Sequence, residues 1–385
     1  MKFNPAFASL PVSIFQHMTM LALKHGAVNL GQGFPDQDGP LSLREVAAKQ
    51  LLEGPNQYPP SKGLAVLRQA VSAHAKNFYG LEYDPEDEVV ITSGGTEALG
   101  ACILATAVPG AEFVLIEPTY DSYRPIVEST GTTIKTVKLG PPDWRLTEDA
   151  LRAAIGPNTS AVLINSPHNP AGRAFTREEL ETLARVVLET EAVVICDEVY
   201  EHLVFDGRPH IPLATLPGMR ARCLRIGSAG KIFSLTGWKV GWVAAPRELA
   251  AVATKSHQFL TFTTPPALQL GVAHGLTHEM DFPLQLTQRL QGNRDVLAAG
   301  LTRLGFGVQP CEGTYFLTAD ISKLTNEKDL AFCERLTRDA GVTLIPLSAF
   351  FQSGTPDTFV RFAFCKQRSV IEESLARLEK YFSAR

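Results

Sequence analysis

The sequence predicts an α/β fold: a large domain built on a mainly parallel sheet with helices on both faces, followed by a smaller α+β domain. Three observations carry this. From about Leu41, helical patterns alternate with short Val/Ile/Leu runs, which is how βαβ units read in a sequence. Those runs are apolar throughout, as strands covered on both faces are. After about residue 285 the alternation gives way to a long helical stretch and shorter strands.

Taken in order, residues 1–40 form an irregular arm with one short helix, Ser13 to Lys24, and the turn-rich "NLGQGFPDQDGP". "LREVAAKQLLEG" and "LAVLRQAVSAHAKNFYG" space their apolar residues as amphipathic helices do, and both end at glycine. "EVVITSGG", "EFVLIEP", "TSAVLINSP", "AVVICDEVY" and "CLRIGSAG" are the buried strands of the large domain, residues 41–285. "LTQRLQGNRDVLAAGLTRLG" opens the small domain, residues 286–385, whose strands are "GTYFLTAD" and "FVRFAFC". The arm is expected to pack with this small domain.

Bulk properties narrow the partner. The 385 residues are 45% hydrophobic and 20% charged, with a net charge of −4. That balance leaves no electrostatic footprint for nucleic acid or an anionic membrane. The N-terminus lacks the continuous apolar segment of a secretory signal, and no later stretch is long enough to span a bilayer. Cys102, Cys196, Cys223, Cys311, Cys333 and Cys365 are scattered without a C-x-x-C pair. They read as buried thiols in a reducing cytoplasm. No Ser-His-Asp order or zinc-type spacing emerges, so no metal site is expected. A small molecule is the partner these properties leave.

In parallel α/β sheets, ligands bind beyond the carboxyl ends of the strands. The unusual residues stand there: Gly94-Gly95-Thr96, Pro118-Thr119-Tyr120, His168-Asn169-Pro170, Asp197 with Tyr200, and Ser228 with Lys231. Lys231 fits either a solvated cation or a desolvated amine, which attacks carbonyls to form a Schiff base. Asp197 fits either a helix N-cap or the partner of a protonated ring nitrogen, with Tyr200 in reach of the same ring. The glycine pair fits an ordinary turn or a phosphate cradle at a helix N-terminus, to which Ser228 and Lys239 would add a hydroxyl and a charge. Tyr120 fits a core position or a stacking face, and Asn169 a plain turn or a ligand contact. Arg361, alone in an apolar strand, needs an anion: an internal carboxylate or one from a ligand. "GQGFPDQDG" lacks the third glycine of a dinucleotide fingerprint. An aldehyde, a phosphate, a protonated ring nitrogen and a ring hydroxyl together describe pyridoxal phosphate.

From about Ser13 to the C-terminus, the ordered set "NLGQGFPD", "NQYPPSKGLAVLR", "SGGTEAL", "PTYDSY", "NSPHNPAG", "CDEVYEHLVF", "SAGKIFSLTGWKVGW", "HQFLTF", "CEGTYF" and "VRFAF" resembles the fold-type I, class I/II aminotransferases. The branch is that of kynurenine aminotransferase, glutamine transaminase K and bacterial methionine aminotransferase. The resemblance implies a mostly parallel seven-stranded sheet, pyridoxal 5'-phosphate, and a cytoplasmic homodimer with shared active sites. It implies that Lys231 holds the cofactor aldehyde as a Schiff base and then moves the substrate α-proton. Asp197 keeps the ring nitrogen protonated, Asn169 and Tyr200 hydrogen-bond the ring hydroxyl, and Tyr120 stacks on the ring. Gly95, Thr96, Ser228 and Lys239 hold the phosphate, joined by Tyr58 of a neighbouring subunit. Arg361 clamps the substrate carboxylate with Asn169 and the Gly33 backbone, while Phe15, Thr261 and Phe262 border the pocket. The small residues between Lys231 and Lys239 are expected to leave room for the cofactor.

The sequence also departs from those relatives. Phe15 stands where several kynurenine-type members have tryptophan, Lys239 stands where aspartate aminotransferases have arginine, and "TFTTPPALQ" is unusually proline-rich. No second arginine is evident for a side-chain carboxylate. The activity this implies is transfer of the α-amino group of a neutral amino acid (methionine, glutamine, aromatic or kynurenine) to a 2-oxo acid. The alternatives are a cysteine-S-conjugate β-lyase and a succinyl-diaminopimelate aminotransferase. A cofactor-binding regulator would need an appended DNA-binding domain, and the chain begins instead at the arm.

Overall fold

The computed structural model describes residues 1–8, 10–353 and 356–384. The arm carries the helix Ile14–His25, whose N-cap Ser13 accepts a hydrogen bond from the Phe15 amide; Gly26 closes it at φ +59°. Left-handed closure of this kind suits glycine. The strand β1 (Val28–Asn29) follows.

The large sheet is made of β2 (Val89–Thr92), β3 (Glu112–Glu117), β4 (Thr133–Lys138), β5 (Thr159–Asn165), β6 (Val193–Asp197), β7 (Cys223–Ser228) and β8 (Gly241–Ala244). Their spatial order is β2-β8-β7-β6-β5-β3-β4. All neighbours run parallel except those of β8, which is antiparallel to both β2 and β7. Every residue of β2, β7 and β8 is buried. Because successive side chains point to opposite faces, full burial means that helices cover both. At the edge, β4 alternates exposed and part-buried positions for most of its length, and so lacks the continuous apolar signal of the other strands.

Local sequence closes the helices between these strands. Thr176 and Glu179 form a reciprocal capping box at the start of Arg177–Leu188, satisfying two otherwise orphaned amides. Ala65–Tyr79 ends on Gly80 in the left-handed region.

The C-terminal part opens with the helix Asp281–Arg303. It then forms a four-stranded antiparallel sheet from β9 (Gly307–Val308), β10 (Phe316–Asp320), β12 (Ile345–Pro346) and β13 (Phe359–Ala363). A further strand, β11 (Val342–Thr343), pairs in parallel with β1. The Ala363 amide also donates to the Leu30 carbonyl at 2.6 Å, so backbone hydrogen bonds tie the arm to two C-terminal strands.

Candidate active site

The carboxyl ends of β2, β3, β5, β6 and β7 surround a cavity of about 500 Å³, which the arm and β10 and β13 close from the other side. Glycine brings two of these elements together. The turn after β2 passes through Gly94 at φ +79°. A Cβ on Gly241 would stand 2.7 Å from the Gly94 carbonyl carbon, so only glycine lets β8 run this close.

The same close approach recurs just before Lys231. A Cβ on Gly230 would meet the Thr236 Cα at 3.0 Å, and one on Gly227 would enter the Trp242 ring. Protein approaches both glycines, although Gly230 also lines the cavity, whereas a Cβ on Gly237, between Lys231 and Lys239, would meet open space.

Lys231 lies in the short helix Ala229–Ile232 that follows β7. Its Nζ donates to the Tyr315 hydroxyl at 2.8 Å, and that hydroxyl donates to the Gly33 carbonyl at 2.6 Å. Burial pulls its pKa down from 10.5 to about 8, since desolvation disfavours the ammonium. Lys239 also lines the cavity, beside Gly94, on a left-handed backbone at φ +53°.

At the end of β6, Asp197 is buried. The Tyr123 hydroxyl donates to its Oδ2 at 2.5 Å. Burial pushes its pKa up from 3.8 to about 6, against the pull of the Tyr123 hydroxyl and the Val199 amide. Asn165, at the end of β5, donates from Nδ2 to the Asp197 carbonyl at 2.9 Å and accepts from the Asn169 amide at 2.7 Å. Behind Asp197, the buried Arg225 donates to Glu198 at 2.6 Å and to Glu201 at 3.1 Å. That cross-link fixes the turn carrying both Asp197 and Tyr200. Tyr200 sits edge-on to Tyr315 at 5.2 Å between ring centroids, and burial raises its pKa well above 10.

Arg361 comes from the middle of β13. Its guanidinium donates to Asn169 Oδ1 at 2.8 Å and to the Gly31 carbonyl at 2.9 Å. It lies over Phe316 at 3.8 Å, with Phe350 at 4.9 Å and Phe15 at 5.3 Å. Among the described residues its Nε is buried with no hydrogen-bond partner. Burial lowers its pKa to about 10. A buried cation with a spare donor and neutral partners is a receptor for an anion.

Of the residues singled out from sequence, Phe15, Gly33, Gly95, Thr96, Tyr120, Asn169, Asp197, Tyr200, Ser228, Lys231, Lys239 and Arg361 all line this one cavity. Tyr58, Thr261 and Phe262 do not. Tyr58 is 84% exposed and packs edge-on against Phe262 at 5.4 Å, while the Thr261 hydroxyl is within 3.3 Å of His257 Nδ1. Tyr123, Tyr315 and Asn165 were not singled out. The first two lay in the quoted segments "EPTYDSY" and "CEGTYF", where nothing local marks which tyrosine turns inward.

Residues 25–378 match the family of class I and II aminotransferases. The chain belongs to this family. Among curated aminotransferases, it is 44% identical over 377 residues to the probable N-succinyldiaminopimelate aminotransferase of Mycobacterium tuberculosis, covering 95% of each chain. It is 37% identical over 371 residues to the methionine aminotransferase of Escherichia coli, covering 96% of each. The solved structure of N-succinyldiaminopimelate aminotransferase from Mycobacterium tuberculosis superposes with a TM-score of 0.96 at 43% identity, over 99% of this chain and 100% of that one.

Aminotransferases of this family depend on pyridoxal 5'-phosphate, and the residues present fit it. Lys231 supplies an amine with a depressed pKa, and Asp197 a buried carboxylate for a ring nitrogen. The Gly94-Gly95-Thr96 turn at the start of the helix Gly94–Thr106, with Ser228 and Lys239, supplies the donors a phosphate needs. Bound there, the cofactor supplies an electron sink for charge developing at the substrate α-carbon.

Proposed function

We propose that this aminotransferase takes neutral amino acids as donors: methionine, glutamine, aromatic amino acids or kynurenine. The supporting observation is that Arg361 is the single arginine among the described residues lining the cavity. One bidentate clamp serves one carboxylate, which leaves the substrate side chain facing Phe15, Phe34, Phe316 and Tyr120. Methionine and kynurenine aminotransferases among the relatives support the same reading.

Within the site, Arg361 and Asn169 orient the substrate carboxylate. Lys231, neutral above about pH 8, takes the α-proton, and the Tyr315 hydroxyl holds the amine in place for it. Asp197 keeps a proton on the cofactor's ring nitrogen. Tyr58, Thr261 and Phe262 belong to the neighbouring subunit's site in a homodimer. Their exposure in the single chain supports this assignment: an 84% exposed tyrosine packed edge-on against a phenylalanine is a surface awaiting a partner. The six free, buried cysteines support a reducing, cytoplasmic setting, and among the described residues no helix is long and apolar enough to cross a membrane.

A second reading is succinyl-diaminopimelate transamination, favoured by the 44% identity to the Mycobacterium tuberculosis protein. A cysteine-S-conjugate β-lyase on the same site is the alternative reaction. Single-turnover absorbance with the purified protein and no acceptor separates them. Loss of the visible cofactor band with one equivalent of 2-oxo acid is expected for methionine, glutamine, phenylalanine or kynurenine. Response to the succinylated substrate alone would establish the second reading, and ammonia with pyruvate from a cysteine conjugate would establish the lyase.

A further inference from the structure

A buried histidine beside the cavity has no part in the chemistry above. His257, near the end of the helix Arg247–Leu260, is 0% exposed. Both of its ring nitrogens face acceptors. Nδ1 stands 3.0 Å from each carboxylate oxygen of Glu97, and Nε2 stands 2.9 Å from the Ser61 carbonyl. A neutral imidazole carries one N–H and satisfies only one of the two, so the ring that makes both bonds is an imidazolium. Glu97 is the charged group that meets it from the helix Gly94–Thr106. The loop carrying Tyr58 offers the Ser61 carbonyl, and the ring's own segment offers the Thr261 hydroxyl at 3.3 Å and the Phe262 carbonyl. Burial opposes the charge, but Glu97 and then the two carbonyls outweigh it and hold the pKa above 6.5.

The three segments that meet at this ring carry residues assigned above to the cofactor and the pocket. Glu97 directly follows Thr96, and its carboxylate also accepts from the Ser93 amide at 3.0 Å, so it brackets Gly94, Gly95 and Thr96. A second link, between Ser93 Oγ and Thr264 Oγ1 at 3.2 Å, joins the same turn to the segment after Phe262. We propose that His257 is a positioning residue for the cofactor phosphate: its imidazolium, held between Glu97 and Ser61, locks the Gly94-Gly95-Thr96 turn against the loop that carries Tyr58. That this loop serves the neighbouring subunit rests on the shared-site reading above; one buried charge then sets the grip on two phosphates.

The test uses the full chain freed of cofactor and reads the affinity for pyridoxamine 5'-phosphate over that for pyridoxamine, which lacks only the phosphate. His257→Gln removes the ring charge, and Glu97→Gln keeps an acceptor for the Ser93 amide. Each is expected to lower that ratio roughly tenfold, the scale of one charge-assisted hydrogen bond. The double variant should be no worse than either single one, because the pair acts as a unit. Leu297→Ala, a truncation on the buried face of the helix Asp281–Arg303, should lower the melting temperature and leave the ratio unchanged, which separates positioning from lost stability. In the cofactor-loaded protein, the ring-nitrogen NMR resonances of His257, identified by their loss in His257→Gln, should titrate above 6.5. An unchanged ratio in either Gln variant, additive losses in the double variant, or titration at or below 6.5 would overturn the proposal. A monomer in sedimentation would sink the shared-site reading alone, while the affinity ratio still decides the role of His257.

Discussion

The Tyr123 hydroxyl donates to Asp197 Oδ2 at 2.5 Å, so the carboxylate that would serve the ring nitrogen is held by a residue 74 positions earlier in the chain. This hydrogen bond offsets only part of the desolvation, and the carboxyl still titrates near 6 instead of 3.8. The site is therefore strained until a cation meets Asp197.

That strain has a measurable sign. For a carboxyl whose folded pKa is raised, the favourable contribution is complete below 3.8 and is lost as pH rises through about 6. Asp197→Asn should abolish turnover of the cofactor-loaded enzyme; with the cofactor removed, it should be more stable than the unaltered protein at about pH 8, by on the order of 2 kcal/mol more than at about pH 4. Thermal melts of both proteins at the two pH values check this. An advantage that is equal at both would mean that Asp197 is not a desolvated anion.

Tyr315 is the acceptor for Lys231 Nζ and the donor to Gly33. Tyr315→Phe deletes both bonds without opening a cavity. A hydrogen bond between neutral groups contributes about 0.5–1.5 kcal/mol, so kcat/KM should fall roughly two- to ten-fold. Lys231→Ala should remove a further proton-transfer contribution of roughly 10²–10⁴-fold. A fully active Tyr315→Phe enzyme would show that the hydroxyl only fills space.

Arg225 is shared by Glu198 and Glu201, and all three are buried. Arg225→Ala leaves two carboxylates without their cation, a change that costs about 3–5 kcal/mol in buried pairs. Chemical denaturation should report that loss. Because the pair flanks Asp197, cofactor retention should weaken in parallel. A variant with full stability would mean that solvent reaches the pair.

Tyr58 tests the shared site. Tyr58→Phe should raise the dissociation constant for the cofactor severalfold while the Lys231 environment stays intact. Mixed with Lys231→Ala chains under exchange conditions and at limiting cofactor, it should produce hybrids more active than the two parents summed, since one site then receives Lys231 and Tyr58 together. Additive activity, or a monomer in sedimentation, would overturn the shared-site reading.

The parallel strands and their polar exits were legible because buried strands read as unbroken apolar runs and because lone polar residues stand out at their ends. β4 was missed since an edge strand alternates like a solvated surface. β8 was missed because its four residues begin on the last Gly-Trp of "GWKVGW", whose glycines and tryptophans look like a turn. In the site, Asp197, Lys231 and Arg361 were found by being charges in apolar settings. Tyr123 and Tyr315 carry no such local contrast: each is an aromatic beside other aromatics, and only tertiary contact decides which one meets Asp197 or Lys231.

The parallel pairing of β1 with β11 joins Val28 to Val342, and its meaning changes when the chain is being made. Synthesis at ~5–20 residues per second separates the two strands by roughly 15–60 s. For that interval β1 has no strand to pair with, while the central sheet is already able to form. The clamp around Arg361 therefore closes last on the growing chain. Until then the ribosome carries a half-built protein whose lysine and aspartate stand open to the surrounding medium.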